Sequence, residues 1–270
     1  MSYFPRRIVS LQPSASVILD AMGARDLLVA CTKYCEEVLP GISTGRLLVA
    51  DSWTSKSAEI LAARPDLVIA SVPYQLDSVG EILKAGIPFL GLAPKSLADI
   101  YRDIAMIAGV IGRPENAVDV IDSMKNSIDA VREKVRAHSS GSPQVFCEEW
   151  GKPLISSQPW VAELVQAAGG EFVGQPGQQT TAEAVLARNP DVVIAAWCGA
   201  GDRVPLEKIV QQRGWREMNA VREGRVFCVP DPWLNTPAPT LLQGLQAIAA
   251  ILHPQIFPQP TTLRRINQPT

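Results

Sequence analysis

The sequence predicts an α/β protein of two lobes, each with a central, mainly parallel sheet, joined by one long rigid helix. Three observations predict it. Short unbroken Val/Ile/Leu/Phe runs alternate with helical patterns along the 270 residues, as expected where helices cover both faces of parallel sheets. A helix, a Pro-Asp corner and a strand occur twice, as AEILAARPDLVIAS at 58–71 and AEAVLARNPDVVIAA at 182–196. Between the copies lies a helical stretch, 97–137, with no strand of its own.

The elements follow in order. Residues 7–11 form the opening strand, and Gln12-Pro13-Ser14 starts a helix over 14–22, because Pro fits the first helical turn. A second strand takes 27–31. The helix at 57–63 stops before Pro65, which cannot continue it, and Asp66 suits the turn that launches the strand at 67–70. A helix at 76–85 and a strand at 89–92 complete an N-terminal lobe, 1–96. The helical segment 97–137 breaks only at Gly112-Arg113-Pro114. Beyond the break Val118, Ile121, Met124, Ile128, Val131 and Val135 recur close to every 3.6 residues, a helix of about 23 residues and about 34 Å. Its length suits a stiff connection between lobes. The SSGSP run at 139–143 ends it, and the C-terminal lobe, 138–270, carries strands at 144–149, 192–196 and 226–229 and helices at 158–168, 181–187 and 205–213. The Pro- and Gln-rich tail after His253 reads as an irregular strap.

Composition excludes several classes. With 47% hydrophobic residues and 25 Lys+Arg against 27 Asp+Glu, the chain is neither disordered nor a coiled coil, and it has no basic stripe for nucleic acid. No run of about 18 apolar residues embeds it in a membrane. Five cysteines, an odd number in a chain this large, favour reduced thiols. The chain enters its first strand within seven residues of Met1, with no apolar leader. As it stands this predicts a cytoplasmic protein, or a periplasmic or extracellular one if a leader has been removed.

Ligands of open α/β sheets bind beyond the carboxyl ends of strands. Four of six Trp and two of four Tyr fall in those short segments. Rings pooled at loop tips predict a broad, flat, partly apolar ligand, although each ring alone also suits capping of its own lobe's core. Tyr34, Trp53, Trp150, Trp197 and Trp233 are the foremost wall candidates. Tyr74 and Trp160 rank lower, Trp160 because it sits at a helix start where it can pack on the sheet. Ser52 and Asp231 are candidates to hydrogen-bond polar arms of the ligand, with Lys33 and the strand-end carboxylate Glu149 beside them. Asp231 precedes Pro232 and equally suits a turn.

No metal site is predicted. Cys31 and Cys35 are spaced C-x3-C, but His138 and His253 lie at no strand end and the Cys/His pairs of structural zinc are missing. Cys35 and Cys198 are the thiols placed to face a ligand. An enzyme reading has Cys198 or Cys35 as nucleophile and Glu149 as base, without a neighbouring His, a G-x-S-x-G elbow or a phosphate loop. The GAG at 199–201 fails as a dinucleotide loop because position 204 is Val.

Over 6–252, the stretches RRIVSLQPSASVILDAMG, DSWTSKSAEILAARPDLVIAS, the long helix and TAEAVLARNPDVVIAA resemble the substrate-binding proteins of ABC importers for vitamin B12 and ferric siderophores, the cobalamin-binding branch most of all. The resemblance implies two α/β lobes joined by one rigid helix, ligand held in the cleft between them, small lobe motion, and an ABC importer permease as partner. It implies an acidic docking residue on each lobe, for which the candidates are Asp77 or Glu81 in the helix at 76–85 and Asp202 or Glu207 just before or in the helix at 205–213, Asp77 and Glu207 being chosen. It also favours Asp231 with Trp233, since cobalamin binders carry an acidic-aromatic pair in that loop. The function expected is non-catalytic binding of a corrinoid for uptake, storage or delivery, the corrinoid being ligand and no cofactor being needed. The alternatives are a ferric siderophore or haem on the same fold, and a cysteine-dependent enzyme.

Overall fold

The computed structural model describes residues 4–139 and 141–266, so one position of the 139–143 link and both chain ends lie outside the described residues. Two compact units are present, residues 1–123 and 124–270.

In the first unit β1 (Ile8–Ser10), α1 (Pro13–Ala21), β2 (Leu28–Thr32), α2 (Lys33–Val38), β3 (Leu47–Val49), α3 (Ser57–Ala62), β4 (Leu67–Ser71), α4 (Leu76–Lys84), β5 (Phe89–Leu92) and α5 (Leu97–Val110) follow one another. The sheet is ordered β3-β2-β1-β4-β5, with every pair parallel. The order reverses at β1, so the carboxyl ends of β1 and β4 flank the switch point where such sheets place ligands. Val9, Val68, Ile60 and Ile82 close the core against one face. A capping box joins Ser96 to Asp99 at the start of α5.

Helix α6 (Pro114–His138) has 25 residues, two more than expected, and begins in the first unit and ends in the second. Its start is tied down by Asn116, which donates to the Met22 carbonyl (2.7 Å), and by Arg113, which pairs with Asp26 (3.5 Å). Near its end Val135 packs on Gly169 and the Lys134 ammonium lies 4.6 Å from the centre of the Phe257 ring.

The second unit comprises β6 (Gln144–Gly151), β7 (Leu154–Ser156), α7 (Pro159–Ala167), β8 (Glu171–Phe172), α8 (Ala182–Arg188), β9 (Val192–Ala195), α9 (Leu206–Gln212), α10 (Asn219–Arg222), β10 (Val226–Cys228), α11 (Pro232–Asn235), α12 (Leu241–Leu252) and β11 (Arg264–Arg265). Its sheet is ordered β11-β10-β9-β6-β7, with β8 also on β6; β7 and β11 are antiparallel, the rest parallel. Phe146 and Trp215 meet edge to face at 6.2 Å in its core.

The repeat seen in the sequence is a repeat of mechanism. At each Pro-Asp corner the residue before the Pro, Arg64 or Asn189, takes a left-handed conformation that ends the helix. Each Asp then captures the first strand of its own unit: Asp66 accepts the backbone N–H groups of Arg6 and Arg7 (both 2.8 Å), and Asp191 accepts that of Gln144 (2.8 Å). The corner thus sets the register of a strand about 50 to 60 residues earlier in sequence.

Several elements were not expected. The strands β3, β7, β8 and β11 have two or three residues each, too few to show a period. Helix α12 is buried nearly all round, so it lacks a polar face to reveal it. The tail is irregular only as far as β11, which pairs with β10.

Candidate functional site

The carboxyl ends of β6 and β9 in the second unit hold the largest set of expected residues. Glu148, wholly buried, receives both arms of the Arg213 guanidinium at 2.6 and 2.7 Å. Its Oε1 also accepts the indole N–H of Trp197 (2.9 Å). A buried carboxylate is tolerable only when so paired. Arg213 stacks in turn on Trp215, 4.8 Å from the ring centre. From the other side the Trp197 ring rests on Gly151, where a Cβ would lie 2.5 Å away. Trp197 is therefore locked in one orientation by an ion pair beneath it and a glycine beside it. Register slips between Glu148 and Trp150, which breaks the period of two and lets Glu148 be buried while Trp150 is 44% exposed. The Trp150 indole donates to the Lys152 carbonyl (2.9 Å).

These indoles border a cavity of about 420 Å³ that reaches Lys208 and Gln212 on α9, within the roughly 300–1,000 Å³ of small-molecule pockets. Glu149 lies alongside, accepting from Gln158 (2.8 Å) and facing the Cys198 thiol at 3.8 Å. Desolvation raises the Glu149 carboxyl above its ordinary range. The Cys198 thiol is pushed up by its protein surroundings and by the Glu149 and Asp231 carboxylates, so it stays protonated. That is the reverse of an activated nucleophile. Asp231 accepts the backbone N–H groups of Gly199 (2.9 Å) and Gly201 (2.8 Å), and so shapes the loop after β9. Trp233, half-buried, is the second residue of α11, whose backbone approaches α12 so closely that a Cβ at Gly244 would run into the Trp233 carbonyl. Trp160 is buried and donates to the Leu234 carbonyl (2.8 Å), which makes it a packing residue.

In the first unit the switch point is bridged by polar side chains. Gln12, after β1, donates to the Ser52 hydroxyl, which lies 3.3 Å from the Ser71 carbonyl. Ser52 is 2% exposed and its hydroxyl is engaged within the unit, where it holds the Gln12 side chain. Trp53 is 64% exposed, in a loop held by Asp51, which accepts the N–H groups of Trp53 and Thr54 (both 3.0 Å). The backbone of Gln75 donates to the Ser52 carbonyl (2.7 Å) and brings the loop carrying exposed Val72, with exposed Leu76 at the start of α4, to the loop of Trp53. Tyr74 is turned inward: its hydroxyl donates to the Leu92 carbonyl (2.5 Å) and its ring meets Phe89 edge-on at 5.7 Å. Tyr34 is half-buried, with the Lys33 ammonium 4.8 Å from its ring centre.

Tyr34 does not lie in a loop. Thr32 caps α2, accepting the Cys35 N–H (3.3 Å), and Cys35 is fully buried, so the expectation that it faces a ligand is corrected. Hydrogen bonding from Cys31 lowers the Cys35 thiol to about 6, but no solvent reaches it. His253 is buried against the Ala168 carbonyl (2.8 Å) and His138 sits 2.8 Å from the Lys134 carbonyl. Among the described residues no group of three or more His, Cys, Asp or Glu is placed to hold a metal ion, and no helix is long and apolar enough to cross a membrane.

Residues 8–232 match the family model described as periplasmic binding protein. The chain belongs to that family. This periplasmic binding protein is 28% identical to an uncharacterised ABC transporter substrate-binding lipoprotein of Bacillus subtilis, over 94% of this chain and 82% of that one. It is 26% identical to the vitamin B12-binding protein of Vibrio cholerae, over 92% and 90% of the two chains. A periplasmic haem-binding protein of Pseudomonas aeruginosa shares its fold, with a TM-score of 0.86 at 21% identity over 99% of this chain and all of the other. Within the periplasmic binding protein fold, Asp77 and Glu207 occupy equivalent places: each is exposed and second in the helix that follows the strand of the repeat. Arg213 and Lys208 were missed in the sequence, whereas Gln12 falls in the strand-end segment after β1. Arg213 meets Glu148 across 65 positions and no local pattern announces it.

Proposed function

We propose that this chain is the cargo-binding component of an ABC importer and that its cargo is a corrinoid, held without chemical change. The observation that carries the reading is the pair of indoles at the ends of β6 and β9, one locked and one exposed, bordering a cavity of about 420 Å³ that would take one part of such a ligand. A flat face backed by a fixed ring suits a macrocycle that stacks. The vitamin B12-binding relative, similar over nearly the whole chain, supports the same reading. Half-buried Trp233 adds to the proposed wall in the second unit, Trp53 and Tyr34 are proposed as ligand contacts of the first unit, Asp231 shapes the loop after β9 and Glu149 offers its remaining acceptor capacity. Asp77 and Glu207 are proposed to dock on the permease. The lipoprotein and B12-binding relatives support a site of action outside the cytoplasmic membrane.

Haem is the second reading, favoured by the match to the haem-binding fold. Both histidines are engaged with backbone carbonyls, which favours a metal that brings its own axial groups, as corrinoid cobalt does. Titration with cyanocobalamin while following tryptophan fluorescence tests the proposal. Saturable quenching that weakens at least tenfold in Trp197→Ala and in Trp150→Ala supports it, and quenching by ferric chelates or haem alone overturns it.

A further inference from the structure

The cavity of the second unit carries a charge pattern that stacking does not account for. Lys152 and Lys208 line it, and no Asp or Glu does. Both lysines are exposed. Among the described residues, neither ammonium has a carboxylate within 4.0 Å. Of the carboxylates on the adjoining strand and loop, Glu148 is neutralised by Arg213, Asp231 accepts from the backbone of Gly199 and Gly201, and Glu149 faces Cys198. Gln212 adds an amide at the far side. Two lysines, an amide and two indoles line a partly apolar recess whose charged lining groups are both cationic.

We infer that this recess seats an oxyanion borne on an arm of the cargo. Lys152 and Lys208 supply the charge, and Trp150 and Trp197 flank the contact. The inference rests on the macrocycle reading above and narrows it: the cargo carries a phosphodiester or carboxylate arm, and not neutral amides alone. In a corrinoid the oxyanion is the phosphodiester of the nucleotide arm; in a haem it is a propionate.

Isothermal titration of the wild-type chain and of the double variant Lys152→Gln/Lys208→Gln distinguishes these sources. The titrants are cyanocobalamin, dicyanocobinamide, which lacks the nucleotide arm, and hemin. Both lysines are solvent-exposed, so their replacement leaves the core untouched. The expected result is cyanocobalamin affinity about tenfold weaker in the double variant, with dicyanocobinamide affinity unchanged. Lysine-dependent binding of hemin with no binding of cyanocobalamin upholds the oxyanion seat and overturns the corrinoid reading. Equal cyanocobalamin affinity in both proteins, or an equal loss for dicyanocobinamide, overturns the seat and leaves the corrinoid reading standing. Failure of the wild type to bind any of the three overturns both.

Discussion

Trp197 shows how little of a binding residue's character lies in the residue itself. Its place after a buried strand marks it as a candidate wall in the sequence, but its rigidity comes from Glu148, Arg213 and Gly151, which the chain brings to it from 49, 16 and 46 positions away. Replacing Gly151 with Ala forces the ring aside without straining the backbone, since Gly151 is not in the left-handed region. Gly151→Ala is expected to cost about 1–3 kcal/mol of stability in urea unfolding and to weaken cyanocobalamin binding more than that of an equally destabilised core variant. Equal losses in the two would show that the ring's orientation is immaterial. A second residue speaks to pH. Asp103 on α5 is buried, and desolvation pushes its carboxyl up to about 6 against an unfolded value near 3.8. Because the native form resists ionisation, its presence lowers stability above the folded pKa, and the penalty disappears as pH falls below the unfolded pKa. Asp103→Asn is therefore expected to stabilise the protein by up to about 2 kcal/mol at pH 7.5 and by almost nothing at pH 3.5, measured by thermal unfolding. The opposite ordering would contradict the assigned cause.

At the scale of elements, the Pro-Asp corners were legible because their chemistry is local: a helix that Pro must end and an Asp that finds free N–H groups. What they capture was not legible, because β1 and β6 lie far away in sequence. Asp66→Ala is expected to lose two backbone hydrogen bonds and Asp191→Ala one, about 1 kcal/mol for each bond. Hydrogen exchange should accelerate at Arg6 and Arg7 in the first and at Gln144 in the second. Acceleration spread evenly over each sheet would refute this local role. The long helix was equally legible from its period of 3.6, and its anchors Asn116 and Arg113 at one end and Lys134 and Val135 at the other sit within the two compact units. Helix α12 and the short strands were hidden for opposite reasons, uniform burial in one case and brevity in the other. The loop expected around Tyr34 became a helix because Thr32 caps it.

For the whole molecule, alternating elements and a doubled unit were enough to identify the fold class, and the family match over 8–232 accords with it. Within the candidate site, strand-end position singled out Trp53 and Trp150, which are exposed, and Trp197, which borders the cavity, whereas Ser52, Cys35 and Trp160 are buried. Exposure depends on which hydroxyl, thiol or indole finds a partner inside, and those partners are set by contacts distant in sequence. Lys208 and Arg213, on a surface helix and just past its end, carried no signal at all. The central claim is that indoles at the ends of β6 and β9 receive a planar metal macrocycle. An electron-density map of the protein crystallised with cyanocobalamin tests it most directly. The account predicts the corrin in van der Waals contact with Trp150 and Trp197; a corrin bound on another face, with both indoles left in solvent, would contradict it.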